Sequence, residues 1–337
     1  MIRIHIVLAA SLIATQATAA FAQAAPRAAD SRPTVRFVAV NNHVKLEVLD
    51  WGGSNAGRPI VFLAGLGNTP HDFDKFALNF TGSHHVYGIT RRGFGNSSKP
   101  TPADDNYSAD RLGDDVLAVC DALKLDHPVL VGHSIAGEEL SSIGSRHPEK
   151  VSGLVYLDAA GPSAFYNAAT GNYGVELAEL RRRLDQLTVQ SNPDLDKARI
   201  RELLQSNLLQ RFEGQLQSVL KVMEAMPPTP PNTAAPLVNP SAPYVRAVLS
   251  GQQMYTVIKG PILAIVAIPH DYDRNPPPDA RTSAALNLQY AERQVDAFQA
   301  TLPNARVVRL PYASHFVFRS NEADVVREMN AFLASLP

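Results

Sequence analysis

Val129-Leu130-Val131-Gly132-His133-Ser134-Ile135-Ala136-Gly137 sets one serine at the point where an apolar strand breaks into a helix. A serine hydroxyl is a poor nucleophile until geometry and a nearby base activate it, so its setting carries more information than its identity. Gly132 lies two residues before Ser134 and Ala136 two after it, which lets a tight strand–turn–helix close and lift the side chain out. The pattern is Gly-x-Ser-x-Gly except that Ala136 takes the last position, with Gly137 one further on. Small-x-Ser-x-small keeps the steric logic. Taken alone, the stretch also fits a serine capping an ordinary helix, so the rest of the chain must decide.

On either side of this stretch, apolar and polar segments alternate in an α/β rhythm. Val35 to Val40 and Val44 to Leu49 alternate in character around Asn41-Asn42, as an antiparallel pair does. Pro59 to Ala64, His85 to Thr90, Pro128 to Val131 and Val151 to Leu157 are continuous apolar runs, the signature of strands buried on both faces. Between them Leu112, Val116, Val119 and Leu123 recur at helical spacing over Ala109 to Leu123. Strand and helix in alternation imply a parallel sheet with helices on both faces. Ligands bind such sheets at the carboxyl ends of the strands, and Ser134 stands at one.

The rhythm stops near Gly161 and resumes at Pro261. The interval carries amphipathic stripes (Leu177, Leu180, Leu184, Leu187; then Leu204, Leu208, Phe212) and a proline-rich stretch from Met226 to Pro243, which forbids helix and central strand alike. We expect residues 161–260 to form a helical and Pro-rich cap over the site, inserted into a core made of 34–160 and 261–337. Ile262 to Ile268, a helix from about Arg281 to Ala300, the strand Arg306 to Leu310 and a last helix from about Asn321 to Leu336 complete that core.

Composition bounds the partners. The 337 residues carry a formal net charge of −1, which gives no field to attract nucleic acid or an anionic membrane. Ten His and the single Cys120 offer neither a disulfide framework nor a Cys-based zinc site, and no His-x-x-x-His cluster stands out, so no metal is expected. Met1-Ile2-Arg3, the nearly uncharged Ile4 to Ala22 and the ending Ala20-Phe21-Ala22 match the basic, apolar and cleavage regions of a secretory signal. Residues 1–22 are read as a signal peptide, with Ala24 as the second cleavage choice, and 23–33 as a flexible leader. Thr15, Gln16 and Thr18 interrupt the roughly 20 apolar residues that a retained anchor needs, so the mature protein is expected to be periplasmic or secreted, with no stable membrane insertion.

An activated serine needs an imidazole within reach and a carboxylate to hold that imidazole's tautomer. In the serine–acid–histidine chain order the histidine follows the last strand. His315, in Pro311-Tyr312-Ala313-Ser314-His315-Phe316, stands there. For the acid, Asp271 lies just after Ile262 to Ile268 and is preferred; Asp158, ending Val151 to Leu157, and Asp273 satisfy the same order. The oxyanion donors are assigned to the backbone N–H of Ile135, after the nucleophile, and of Leu66, in Gly65-Leu66-Gly67-Asn68, where glycines let the backbone approach a substrate closely.

Several segments together resemble the α/β-hydrolase superfamily in its lipase/esterase and epoxide-hydrolase-like branch. They are Val61 to Gly67, Gly88-Ile89-Thr90-Arg91-Arg92-Gly93-Phe94-Gly95-Asn96-Ser97, the Ser134 turn, Leu154 to Ala159 and Ser314-His315-Phe316. The resemblance runs from about Pro59 to Leu336 and implies an eight-stranded, mostly parallel sheet flanked by helices, a cap after the sixth strand, and no cofactor. Two departures stand out. Ala64 replaces the His that commonly precedes Gly in the oxyanion loop, and the acid loop lacks the usual Gly before its Asp. The superfamily also hosts aspartate nucleophiles that form alkyl esters; a serine points to acyl chemistry instead. The expected activity is that of an exported serine hydrolase cleaving a small-molecule carboxylic ester, with an apolar part suggested by the Leu-rich cap. The alternatives are a peptidase or amidase on the same triad, and a non-catalytic protein that binds a small ligand.

Overall fold

The computed structural model describes residues 32–337 apart from 104, 190–191, 225–240 and 279–280. The chain divides into Met1–Ser31 and Arg32–Pro337. The signal segment, nearly all of the leader and most of the Pro-rich stretch therefore lie outside the described residues.

Eight strands form one sheet: β1 (Thr34–Ala39), β2 (Lys45–Gly53), β3 (Ile60–Leu63), β4 (His85–Ile89), β5 (Val129–His133), β6 (Gly153–Leu157), β7 (Ile262–Ala267) and β8 (Ala305–Leu310). Their spatial order is β1-β2-β4-β3-β5-β6-β7-β8. β1 and β2 pair antiparallel, as do β2 and β4; every later pairing is parallel. β2 runs past Leu49 to Gly53 through a register shift between Asp50 and Gly52. Glycine at positive φ, 72° at Gly52, lets the strand bulge and continue where alternation alone reads an end.

The continuous apolar runs are explained by how the pleat divides them. Val61, Leu63, Leu130, Leu154, Tyr156, Ile262 and Ala264 face one layer, with Val116 and Val119 of α1 (Ala109–Ala122), Leu140 and Ile143 of α2 (Gly137–Arg146), and Val295 and Phe298 of α7 (Arg281–Thr301). Their neighbours Ile60, Phe62, Val129, Val131, Val155, Leu157, Leu263 and Ile265 face the other, against Phe73, Phe76 and Phe80 and against Val325, Met329 and Phe332 of α9 (Glu322–Ser335). Successive side chains point to opposite faces, and both faces are covered, so these strands are apolar almost throughout, with the buried His133 at the end of β5 as the exception. Ser108 caps α1 by accepting from the Arg111 amide at 3.3 Å.

Between β6 and β7 lie α3 (Tyr173–Val189), α4 (Pro193–Gln205), α5 (Leu208–Glu224) and α6 (Ala242–Ser250). The expected stripes are only partly inside. Val175, Ala178, Leu203 and Leu208 are buried, whereas Leu184 is 45% and Leu204 64% exposed. The α3 seam holds a buried carboxylate, since Glu176 accepts from the Tyr166 hydroxyl at 2.6 Å, and Arg211 reaches the same hydroxyl at 3.2 Å. Among the described residues no helix is long and apolar enough to cross a membrane.

Candidate active site

β5 ends at His133, and the chain turns at Ser134 through a left-handed backbone, φ 56°, into α2. Such a conformation costs a residue with a Cβ about 1–3 kcal/mol and persists only where its surroundings over-determine it. Here the glycines determine it. A Cβ on Gly132 would meet the Leu140 side chain at 3.0 Å, and one on Gly137 would meet the Ala159 carbonyl at 2.3 Å. The close approach therefore falls at Gly137, three residues after the serine, and Ala136 fits at the second with its methyl fully buried. That displacement accounts for the departure from Gly-x-Ser-x-Gly. Asp158, at the end of neighbouring β6, is also left-handed (φ 46°), as is Tyr312 in the loop after β8 (φ 61°). Three unrelated turns in this region thus hold unfavourable backbone.

His315, in the loop between β8 and the short helix α8 (Val317–Ser320), meets a carboxylate, and it is that of Asp158. His315 Nδ1 lies 2.6 Å from Asp158 Oδ2. The carboxylate can only accept, so Nδ1 carries the hydrogen and Nε2 is left free to act as a base. Asp158 Oδ1 accepts from the Ala267 amide at 2.9 Å. Burial, the largest single influence, pushes the Asp158 carboxyl up, but hydrogen bonds from His270, His315 and the Ala267 amide together hold it below the ordinary range.

In this geometry His315 bonds Asp158 and not Asp271, the acid preferred from sequence. Asp271 opens a single turn, Asp271–Asp273, where its carboxylate is exposed and accepts from the Tyr272 amide at 2.9 Å. Asp273, the third choice, accepts from the His270 amide at 2.9 Å and closes that turn. Both carboxylates are used up locally, whereas the left-handed turn at Asp158 directs its side chain toward the β7 and β8 loops.

Two histidines that sequence reasoning did not single out belong to the site. His133, at the end of β5, is buried: its ring centroid is 4.6 Å from that of His315, and its Nε2 donates to the His315 carbonyl at 2.9 Å. Burial first, then His315, push its pKa down to about 4, so it stays neutral and ties the base loop to the nucleophile strand. A Cβ on Gly65 would meet His133 Nδ1 at 3.0 Å and Ser134 Cβ at 3.4 Å, so the loop after β3 reaches the serine only because residue 65 is glycine. The second is His270, whose Nε2 lies 2.8 Å from Asp158 Oδ2. The only sequence signal for either was proximity to a strand end. The ligand atoms of Asp158, His270 and His315 lie within 4.8 Å of one another, near enough to share a cation. Both Asp158 oxygens already accept from N–H donors, however, and those bonds account for the grouping.

Leu66 and Ile135 are brought together in one apolar cluster with Phe94, Tyr107, Leu112 and, from α6, Tyr244, Val245 and Val248. The cap therefore places side chains beside the two assigned oxyanion residues. A polar groove of about 870 Å³ elsewhere, lined by Asp110, Arg111, Arg181, Arg182 and Gln252 among others, holds none of the site residues.

In the first turn of α2, Glu138 is buried and accepts from Gln252 Nε2 at 2.7 Å, with its other oxygen unpartnered. Burial raises its pKa from 4.5 to about 8. The folded state then holds a proton that the unfolded chain releases above pH 4.5, so Glu138 stabilises fully below that value and its contribution is lost as pH rises through about 8. Glu138→Gln is expected to flatten the fall in urea midpoint between about pH 5 and about pH 8. A slope equal to that of the wild type would mean that Glu138 is ionised in the fold.

A family model described as alpha/beta hydrolase fold matches residues 58–240. Over 138 residues the chain is 33% identical to 2-hydroxymuconate semialdehyde hydrolase of Pseudomonas sp. (strain CF600), covering 39% of this chain and 48% of that protein. It is 33% identical over 106 residues to a non-heme chloroperoxidase of Burkholderia pyrrocinia, covering 31% of this chain and 37% of that one. The chain thus spans about half the length of the curated relatives it matches, or less. Among solved structures, E-2-(acetamidomethylene)succinate hydrolase superposes with a TM-score of 0.54 over 90% of this chain and 100% of that one, at 16% identity. That likeness concerns the fold.

Proposed function

The chain belongs to the alpha/beta hydrolase fold family, and from that premise we propose that it is a serine hydrolase that cleaves a small-molecule carboxylic ester through an acyl-enzyme on Ser134. The observation that carries this reading is the His315 Nδ1–Asp158 hydrogen bond, because it fixes the tautomer that leaves Nε2 unprotonated.

Ser134 Oγ attacks the ester carbonyl carbon as His315 Nε2 takes its proton, and the carbonyl π electrons move to oxygen. The Leu66 and Ile135 amides hold that oxyanion; one such donor is worth about 10²–10³-fold in kcat. Collapse expels the alkoxide, which takes the proton from His315 and leaves as the alcohol. Water, deprotonated by His315, then attacks the acyl-enzyme, and the acid departs as Ser134 regains its proton. Asp158 stays ionised throughout and stabilises the imidazolium that forms twice per turnover. The apolar side chains of Leu66, Ile135, Val245 and Val248 around the serine turn support an ester with an apolar acyl or alcohol part. We read residues 1–22 as an export signal, which puts the working enzyme in the periplasm or medium.

A panel of p-nitrophenyl esters of graded chain length should be turned over, and a fluorophosphonate probe should label the wild-type protein at a single residue. Peptide mass spectrometry is expected to map the adduct to Ser134, and the intact mass to report a chain beginning at Gln23. An adduct on any other residue would remove Ser134 as the nucleophile.

A further inference from the structure

Asp158 Oδ2 accepts from two imidazoles at once, His315 at 2.6 Å and His270 at 2.8 Å. Orienting the base needs only the first. We propose that His270 is a positioning residue for this reaction, holding Asp158 Oδ2 in line with His315 Nδ1 and setting how much of the carboxylate's charge reaches the base. The inference rests on the serine-hydrolase reading of the same site.

The backbone clamps His270 to the base loop. His270 forms a parallel bridge with Ala313, the Asp271 amide donates to the Ala313 carbonyl at 3.0 Å, and the Tyr312 amide donates to the Pro269 carbonyl at 2.6 Å. Ala313 is two residues before His315, so the turn carrying His270 and the loop carrying the base move as one piece. The side chain is fixed as well. Its amide is capped by Asp273, and its ring stacks on Tyr272 with centroids 4.8 Å apart and planes 9° apart. With Ala267 on Oδ1, Asp158 is gripped by three donors from two chain segments, and His270 supplies the one that the base cannot.

The charges around His270 come from Asp158 at the end of β6, from Asp271 and Asp273 of its own turn, and from His315, whose ring centroid is 6.3 Å away. Burial opposes protonation, but the hydrogen bond to Asp158 and the three carboxylates raise the pKa above the ordinary histidine value. Neutral His270, donating from Nε2, leaves the whole negative charge of Asp158 to balance the imidazolium that forms at His315. Protonated His270 takes up much of that charge itself, so the transition state at Ser134 loses support. The acid limb of kcat/KM should then report two ionisations, the base and His270, where the base alone would give one.

The test uses p-nitrophenyl butyrate with the full chain and three variants: His270→Phe, which removes the donor; His270→Gln, which keeps a neutral N–H donor; and Ser134→Ala. Loss of an outer hydrogen-bond partner commonly costs about 10–100-fold in activity. His270→Phe is expected to lower kcat by that factor with KM little changed, because the ring lies behind Asp158. His270→Gln should recover most of kcat while its acid limb drops from two protons to one. Should both His270 variants keep the wild-type kcat and two-proton limb while Ser134→Ala is inactive, His270 only pins the loop and the inference fails by itself. Equal losses in Phe and Gln variants, with KM raised alongside, would likewise assign it a purely structural part. Turnover that survives in Ser134→Ala would sink the underlying reading, and this inference with it. If His270→Phe does not fold, the limb of His270→Gln decides.

Discussion

Asp158→Asn is expected to lower kcat about 10⁴-fold while leaving the fold intact, and Asp271→Asn to leave kcat within a factor of about three. The magnitude follows from tautomerism. In the wild type Asp158 Oδ2 accepts from His315 Nδ1. An amide presenting its NH₂ there favours the hydrogen on Nε2, the atom that takes the proton of Ser134 in the proposed reaction, and the proposed base is then blocked at its working face. The carboxamide also loses the negative charge that stabilises the imidazolium. Asp271 touches neither ring: its carboxylate is exposed and accepts from its neighbour's amide. Steady-state kinetics with a p-nitrophenyl ester, with circular dichroism as the folding control, separate the two. Comparable kcat in wild type and Asp158→Asn, or a collapse in Asp271→Asn, would overturn the assignment. Ser134→Ala belongs to the same experiment and should fall further still, by about 10⁶-fold, since no residual attack through the hydroxyl remains.

The strands were legible because burial on both faces removes polar residues from a run, as in Pro59 to Ala64, and such runs cannot be hidden by tertiary context. The serine turn was legible because its steric demands are local: Gly132 and Gly137 meet atoms within 30 residues of the serine. The acid was not. Asp158 and Asp271 both follow a strand and precede His315, so chain order permits either, and the choice depends on which carboxylate its own turn consumes. That turn is closed by a His270–Asp273 pair, a contact no apolar pattern announces. His270 was likewise invisible, since its partner lies 112 residues away and meets it through the register of β6 on β7. The cap stripes misled for a related reason. The pattern of leucines says which residues share a helix face but not which face turns inward: Glu176 is buried on α3 while Leu184 is exposed.

The absence of a histidine at position 64 left the support of the oxyanion loop unexplained from sequence, and the fold supplies it from elsewhere. Arg91, buried after β4, donates from Nη2 to the Ala64 carbonyl at 3.0 Å and from Nη1 to the Gly65 carbonyl at 3.4 Å. Its remaining donors engage both oxygens of Glu139 in the first turns of α2. One guanidinium therefore ties the loop carrying Leu66 to α2, the helix that follows the Ser134 turn. Arg91→Met keeps much of the stem but leaves Glu139, itself 3% exposed, as an uncompensated buried acid. Breaking a buried pair in this way costs about 3–5 kcal/mol, and the loss should appear as a lower urea midpoint. Two freed carbonyls also let the loop relax, so kcat should fall by about the 10²–10³-fold that one misplaced oxyanion donor costs. Adding Glu139→Leu removes the stranded acid and should restore most of the stability, because replacing both members of a buried pair is often neutral. It should not restore kcat, since nothing then holds the Ala64 and Gly65 carbonyls. Recovery of kcat in the double variant would mean that Arg91 serves the fold and not the oxyanion loop; a single variant within about 1 kcal/mol of wild type would mean that the pair contributes little to either.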